Sequence, residues 1–309
     1  MGKQTNKSGS HFGGEWTIQK LHIIEEYLKA YATVLKNQKI KKIYVDGFAG
    51  SGTTELKHDN RKNRDNNTYI QQSMLDESNN STSSKTVQGS ALLSLKYDFD
   101  EYYFVELDQN RISDLKNAIK LQFPQKYSKV HFIAGDSNVK ILEIVSKITV
   151  YDRCLMFLDP YALELNWKTL EAISKCCVVD LWYLFPLSLI RLIEKQRKIS
   201  ESNKHIVSSI LGTEEWLDEL FVKSEQINIF DEDNDDIYGR IDYESILDYI
   251  KSRFATIFPY VSPETKILRN EEKNSPMFML CFMMTNTSQR AQQLASTLVK
   301  SIIKSTEKV

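Results

Sequence analysis

The sequence is short of features that would place it outside the ordinary soluble enzymes and binding proteins. No apolar run approaches the ~18 residues that a bilayer-spanning helix needs, and the first ten residues are polar; neither membrane insertion nor secretion is signalled, and the cytoplasm is the expected compartment. The four cysteines, Cys154, Cys176, Cys177 and Cys281, lie in apolar runs without a C-x-x-C pair, as buried reduced thiols would. None of the five histidines (His11, His22, His58, His131, His205) pairs at i, i+4, and no serine sits in G-x-S-x-G. Zinc hydrolysis and serine acyl transfer therefore lack support, and no metal is expected. Six prolines and 11 glycines in 309 residues exclude collagen-like and low-complexity classes. Net charge is also nearly absent, at −1. Yet residues 213–248 hold 13 acidic and 2 basic side chains, so the other 273 residues carry +10. A positive body with an acidic segment is compatible with a polyanionic partner without requiring one. Asp231 to Asp236 has the look of a calcium loop, but Asp236 stands where glycine is needed and Asp242 where a bidentate glutamate is needed.

What is present alternates. Apolar residues from Ile18 to Leu35 recur at three- and four-residue spacing, which predicts an amphipathic helix over 16–38 with Thr17 as its N-cap. Ile43 to Val45 reads as a strand running into a glycine loop, Asp46 to Gly52. Residues 53–88 are dominated by polar side chains and read as a mobile surface insertion. Further strands are expected at Glu101 to Glu106, Val130 to Ala134, Cys154 to Leu158 and Val178 to Phe185, with helices between them. Strands alternating with helices give an α/β fold with a mostly parallel, doubly wound sheet, whose ligands bind beyond the carboxyl ends of the strands. After Pro186 the pattern changes to a basic helix and then the acidic stretch, a helical and acidic subdomain over 188–275. Pro276 to Thr285 and Ala291 to Ile303 return the chain to the sheet edge. Lys36 to Lys42 and Arg191 to Lys198 could track a nucleic-acid backbone, although such clusters are more often solvated surface.

Each strand end carries a chemical candidate. Gly47, Gly50 and Gly52 sit where the backbone must turn tightly and a ligand can come close, but the spacing is neither G-x-G-x-x-G nor a P-loop. Glu106 and Asp108 follow the next strand. A carboxylate there can accept from both hydroxyls of a ribose, or cap the next helix, and Asp108 suits the capping role better. Asp136 can accept from the exocyclic amine of an adenine or cap the helix after Ser137. Asp159-Pro160-Tyr161 sets a carboxylate, a rigid φ with its carbonyl, and an aromatic face side by side. That grouping can hold an amino group by its hydrogens, or can be a plain turn.

Together these strand ends resemble the class I S-adenosylmethionine-dependent methyltransferases. Phe48, Gly50 and Gly52 match their cofactor motif F-x-G-x-G, and Asp159-Pro160-Tyr161 is similar to the amino-methyltransferase motif D-P-P-Y. Gly89-Ser90 before the acid and Trp182-Tyr183 after D-P-Y are similar to a ribosomal RNA adenine-N6 methyltransferase family. A closer resemblance runs through Trp16-Thr17, Lys20-Leu21, Tyr27-Leu28, Tyr31, V-D-G-F-A-G-S-G, F-V-E-L-D, G-D-S-N and F-L-D-P-Y-A. It is to the three-Cys-motif partner proteins, a bacterial and phage-associated family encoded beside a protein bearing three cysteines. These resemblances imply a single Rossmann-like class I methyltransferase domain over 1–309 with an appended helical subdomain. They imply S-adenosyl-L-methionine as cofactor, held by Asp46, Gly47, Phe48, Gly50, Gly52, Glu106, Asp136 and Ser137, and Asp159, Pro160 and Tyr161 as the catalytic group. The implied reaction is transfer to an amino nitrogen, with nucleic acid as the substrate. The alternative they imply is a non-catalytic partner that binds a three-Cys-motif protein. One departure stands out: the aromatic residue is third in the motif here, followed by Ala162, where the family has it fourth.

Overall fold

The computed structural model describes residues 14–55, 86–193, 199–223 and 238–306. Helix α1 (Glu15–Val34) precedes β1 (Lys41–Asp46). Strands β2 (Thr53–Glu55) and β3 (Thr86–Gln88) pair antiparallel at the two ends of the polar insertion, whose residues 56–85 lie outside the described residues. Then come α2 (Ser90–Ser94), β4 (Glu101–Glu106), α3 (Gln109–Gln122), β5 (Val130–Ala134), α4 (Ser137–Val145), β6 (Asp152–Leu158), α5 (Trp167–Ser174) and β7 (Val179–Pro186). The chain continues with α6 (Leu189–Leu192), α7 (Glu201–Leu211), α8 (Trp216–Glu219), the small ribbon β8 (Phe221–Lys223) and β9 (Tyr238–Arg240), and α9 (Tyr243–Ala255). It ends with β10 (Tyr260–Val261), β11 (Lys266–Arg269), β12 (Pro276–Met284) and α10 (Gln289–Thr306). The acidic run 224–237 and most of the basic run after Arg191 lie outside the described residues.

The main sheet runs β10-β12-β7-β6-β1-β4-β5, with β11 also on β12. Strands β5, β4, β1, β6 and β7 are parallel, and β12 is antiparallel to β7, β10 and β11. From β1 the chain builds outward through β4 and β5, then crosses back to lay β6 on the other side of β1. The strand order reverses at β1, where the carboxyl ends of an open sheet leave a crevice.

Because side chains alternate across a strand, the central strands feed two cores. Ile43 and Val45, Met156 and Leu158, Leu181 and Tyr183, and Met279 and Cys281 face one side, with α4, α5, α7 and α9 over them. Tyr44, Leu155 and Phe157, Trp182 and Leu184, and Leu280 and Phe282 face the other, covered by α1, α2, α3 and α10. Segment 188–275 joins the first core through Val207, Trp216, Ile250 and Phe254, and its last part supplies the edge strands β10 and β11.

Two local expectations are corrected. Helix α1 begins earlier than expected: Gly14, in extended backbone, is its N-cap, and Thr17 is buried inside the first turn. The cysteines are not all buried: Cys154 and Cys281 are, Cys176 is partly covered, and Cys177 is exposed. Cys177 sits at φ 56 in the turn that follows α5, so the apolar run containing it is broken by a left-handed residue.

Candidate functional site

The loop after β1 is locked from both sides by its neighbours. Gly47 N–H donates to the Phe157 carbonyl of β6 (3.0 Å), Ala49 N–H to the Val105 carbonyl of β4 (2.9 Å), and Gly50 N–H to Glu106 Oε2 (3.0 Å). The three glycines do different jobs. A Cβ on Gly47 would lie 2.4 Å from Leu158, so its absence lets β1 and β6 close up. Gly52 turns at φ +87 against Leu92 and Leu115. Gly50 turns at φ +63 with no atom of the described residues within 4 Å of where a Cβ would stand: among them the loop is open there, as a ligand cradle requires.

Two acidic side chains, Asp46 and Glu106, hold the backbone of this loop. Asp46, at the end of β1, is fully buried; Oδ1 accepts from Phe48 N–H (3.1 Å), while among the described residues Oδ2 has no hydrogen-bond partner within bonding geometry, the Ser90 hydroxyl acting on the carboxyl from farther off. Burial pushes its carboxyl up to about 7, against the opposing pull of Ser90 and the Phe48 N–H, with Asp159 adding to the rise and Lys20 opposing it. A buried carboxylate oxygen without a donor is costly unless a ligand supplies one. Glu106, also buried, accepts from Gly50 N–H through Oε2 and from Asp108 N–H (2.9 Å) through Oε1, which fixes the carboxylate and leaves one lone pair on each oxygen. Asp108 is the N-cap of α3, accepting from Asn110 N–H at 2.7 Å. Beside Glu106, Leu107 is 72% exposed, an apolar surface that no periodic pattern in the sequence marks.

Asp136 caps α4 through Oδ1 (2.7 Å from Asn138 N–H) and is exposed, so capping and ligand contact need not compete for the same oxygen. Ser137 is turned inward: its hydroxyl donates to the Gly47 carbonyl (2.6 Å) and ties the first turn of α4 to the glycine loop. Phe48 is half-buried against the core.

At the end of β6, Asp159 Oδ2 accepts a hydrogen bond from the Lys20 ammonium, an ion pair with Lys20 buried and Asp159 partly so. Lys20 comes from α1, and its Nζ also lies 5.2 Å from the centroid of the Trp16 ring. This partnership joins two elements 139 residues apart, and no local pattern announces it. Pro160 is buried, while Tyr161 is 50% exposed and lies against Arg111 of α3. Desolvation raises the Tyr161 hydroxyl's pKa, with Arg111 opposing and Glu106 and Asp159 adding. Thus β1, β4, β5 and β6 bring the expected residues to one end of the sheet, and α1 and α3 add Lys20 and Arg111.

No family model matches the sequence, and no curated protein matches it. Solved structures do. Protein LPL1258 from Legionella pneumophila, of family DUF519, is similar over 93% of this chain and 91% of its own, with 13% identity and a TM-score of 0.50. Spermidine synthase from Thermotoga maritima is similar over 89% of this chain and 61% of its own (10% identity, TM-score 0.39). The N-terminal domain of EvdMO1, crystallised with SAH bound, is similar over 90% and 99% (9% identity, TM-score 0.36). At such identities the likeness is one of fold. With a mostly parallel sheet that reverses at β1 and an antiparallel β12 between β7 and the edge strands, that fold is a Rossmann-like, doubly wound α/β one.

Proposed function

We propose that the chain is an S-adenosylmethionine-dependent methyltransferase acting on an amino nitrogen of a nucleic-acid base. The observation that carries this reading is the open turn at Gly50, flanked by the buried carboxyl of Asp46 and by the doubly anchored Glu106. Those groups fit the cofactor: Asp46 would hold its cationic amino end, Glu106 the two ribose hydroxyls, and Leu107 with Asp136 the base. When bound, the cofactor supplies a methyl group on a positively charged sulfur that is already a good leaving group. The work left to the protein is alignment. Asp159 has Oδ1 for an amino hydrogen while Lys20 fixes Oδ2, the Pro160 carbonyl offers a second acceptor, and the half-exposed Tyr161 ring is a platform for a planar base. The +10 carried outside residues 213–248 favours a polyanionic acceptor.

The test is transfer of labelled methyl from S-adenosylmethionine to RNA and DNA. Asp159→Ala should abolish transfer and leave cofactor affinity within about threefold, since Asp159 serves the acceptor; loss of cofactor binding in that variant would make the residue structural.

One observation favours a second reading. Asp159 is already committed to Lys20, as an aspartate retired from catalysis could be. Under this reading the chain keeps the fold and the cofactor and serves as the partner of a three-Cys-motif protein, docking through its acidic segment. Deleting 213–248 would not test this cleanly, because Trp216 and Leu220 are buried in the core. Neutralising Asp231, Glu232, Asp233, Asp235 and Asp236 together should abolish the association and leave the melting temperature unchanged. Transfer by the wild type to any nucleic acid would overturn the reading.

A further inference from the structure

Arg111 lies in the first turn of α3, five residues past Glu106, and Tyr161 lies two residues past Asp159. Strands β4 and β6, which deliver them, pair with β1 on opposite sides. A contact between the two residues must therefore cross the carboxyl end of β1, above the glycine loop. Arg111 makes that contact in two ways: its guanidinium is 4.9 Å from the centroid of the Tyr161 ring, and Nη1 donates to the Tyr161 hydroxyl. The tyrosine hydroxyl feels the charges of both Glu106 and Asp159, which adds to the rise in its pKa that desolvation causes. The Tyr161 backbone is held as well, by a hydrogen bond with Glu164.

We propose that Arg111 and Tyr161 form a clasp across the mouth of the cofactor cleft, with Arg111 the positioning residue that holds the tyrosine ring over the bound cofactor. The inference rests on the methyltransferase reading above. It accounts for the shortened motif: without the second proline of D-P-P-Y to set the aromatic residue, a side chain from α3 does so. Lysine would not replace arginine, since it lacks the planar group that stacks and donates at once.

The experiment uses the full chain loaded with radiolabelled S-adenosylmethionine and follows its dissociation after a chase with unlabelled cofactor. Arg111→Ala and Tyr161→Ala should each speed release by about tenfold, as loss of a cation–aromatic contact and its hydrogen bond implies. The double variant should be no faster than the faster single one, because both remove the same contact. Arg111→Lys should fall between wild type and Arg111→Ala. Melting temperatures should not change, as both side chains are partly exposed. Release rates within twofold of wild type, or single effects that multiply in the double variant, overturn the clasp alone. Failure of the wild type to bind at millimolar cofactor overturns the cofactor reading, and the clasp with it.

Discussion

Replacing Glu106 with glutamine turns one carboxylate oxygen into an amide nitrogen, and the structure says what that removes. Each oxygen already takes one backbone N–H, from Gly50 at 3.0 Å and from Asp108 at 2.9 Å, so each has one direction left for a ribose hydroxyl. In Glu106→Gln the amide nitrogen faces a backbone donor with another donor and can no longer accept from its hydroxyl, which loses a charged acceptor. A hydrogen bond to a charged acceptor contributes about 1.5–3 kcal/mol, so cofactor Kd should rise about 10- to 150-fold. The unsatisfied backbone N–H should in addition cost about 1–3 kcal/mol of folding stability. Calorimetric titration with S-adenosylmethionine, alongside urea denaturation, separates the two effects. Binding by Glu106→Gln within twofold of wild type, from protein shown to be folded, would refute the ribose assignment.

Other expectations follow from the same geometry. Burial lifts the Asp46 carboxyl from its ordinary 3.8 to about 7, so the folded chain holds a proton there that the unfolded chain has lost. Asp46 therefore contributes stability that is full below about pH 4 and is lost as pH rises through 7. Asp180, lifted to about 7 chiefly by burial, acts in the same direction, and urea midpoints of Asp46→Asn should depend less on pH than those of wild type. A cofactor cation beside Asp46 favours the carboxylate, so binding near pH 6 should release protons. Calorimetry in two buffers of different ionisation heat should show this for wild type and not for Asp46→Asn. Gly212, the left-handed cap of α7 at φ +72, has no room for a Cβ, which would meet the Trp167 ring at 2.2 Å. Gly212→Ala should cost about 2–5 kcal/mol, adding left-handed strain to overpacking, and a urea midpoint equal to wild type would contradict that.

Much of the site was legible because it lies at strand ends. Strands covered on both faces read as apolar runs, and their last residues are Asp46, Glu106 and Leu158, each followed by a loop of small or acidic residues. Short edge strands escaped: Tyr260–Val261 and Lys266–Arg269 carry too few residues for a period-two pattern and are held by pairing with β12. Thr17 has the side chain of a cap, but Gly14 is the cap, and glycine at a helix start leaves no side-chain signature in the sequence. Lys20 belongs to the amphipathic pattern of α1, and only the folding of α1 over the sheet shows that its ammonium meets Asp159. Arg111 is one basic residue among several on α3, distinguished solely by Tyr161 arriving from β6. Contacts made across the sheet have no local period to announce them.

Titrating wild type and Gly50→Asn with S-adenosylmethionine in a calorimeter shows whether the open turn at Gly50 is a cofactor cradle. Asparagine tolerates the left-handed turn and, among the described residues, has free space for its side chain, so the variant should fold while filling the cradle. Wild type should bind in the micromolar range, and Gly50→Asn should lose at least about a hundredfold, equivalent to about 2.7 kcal/mol. No heat from folded wild type at millimolar cofactor, or equal affinity in the two proteins, would contradict the cradle assignment.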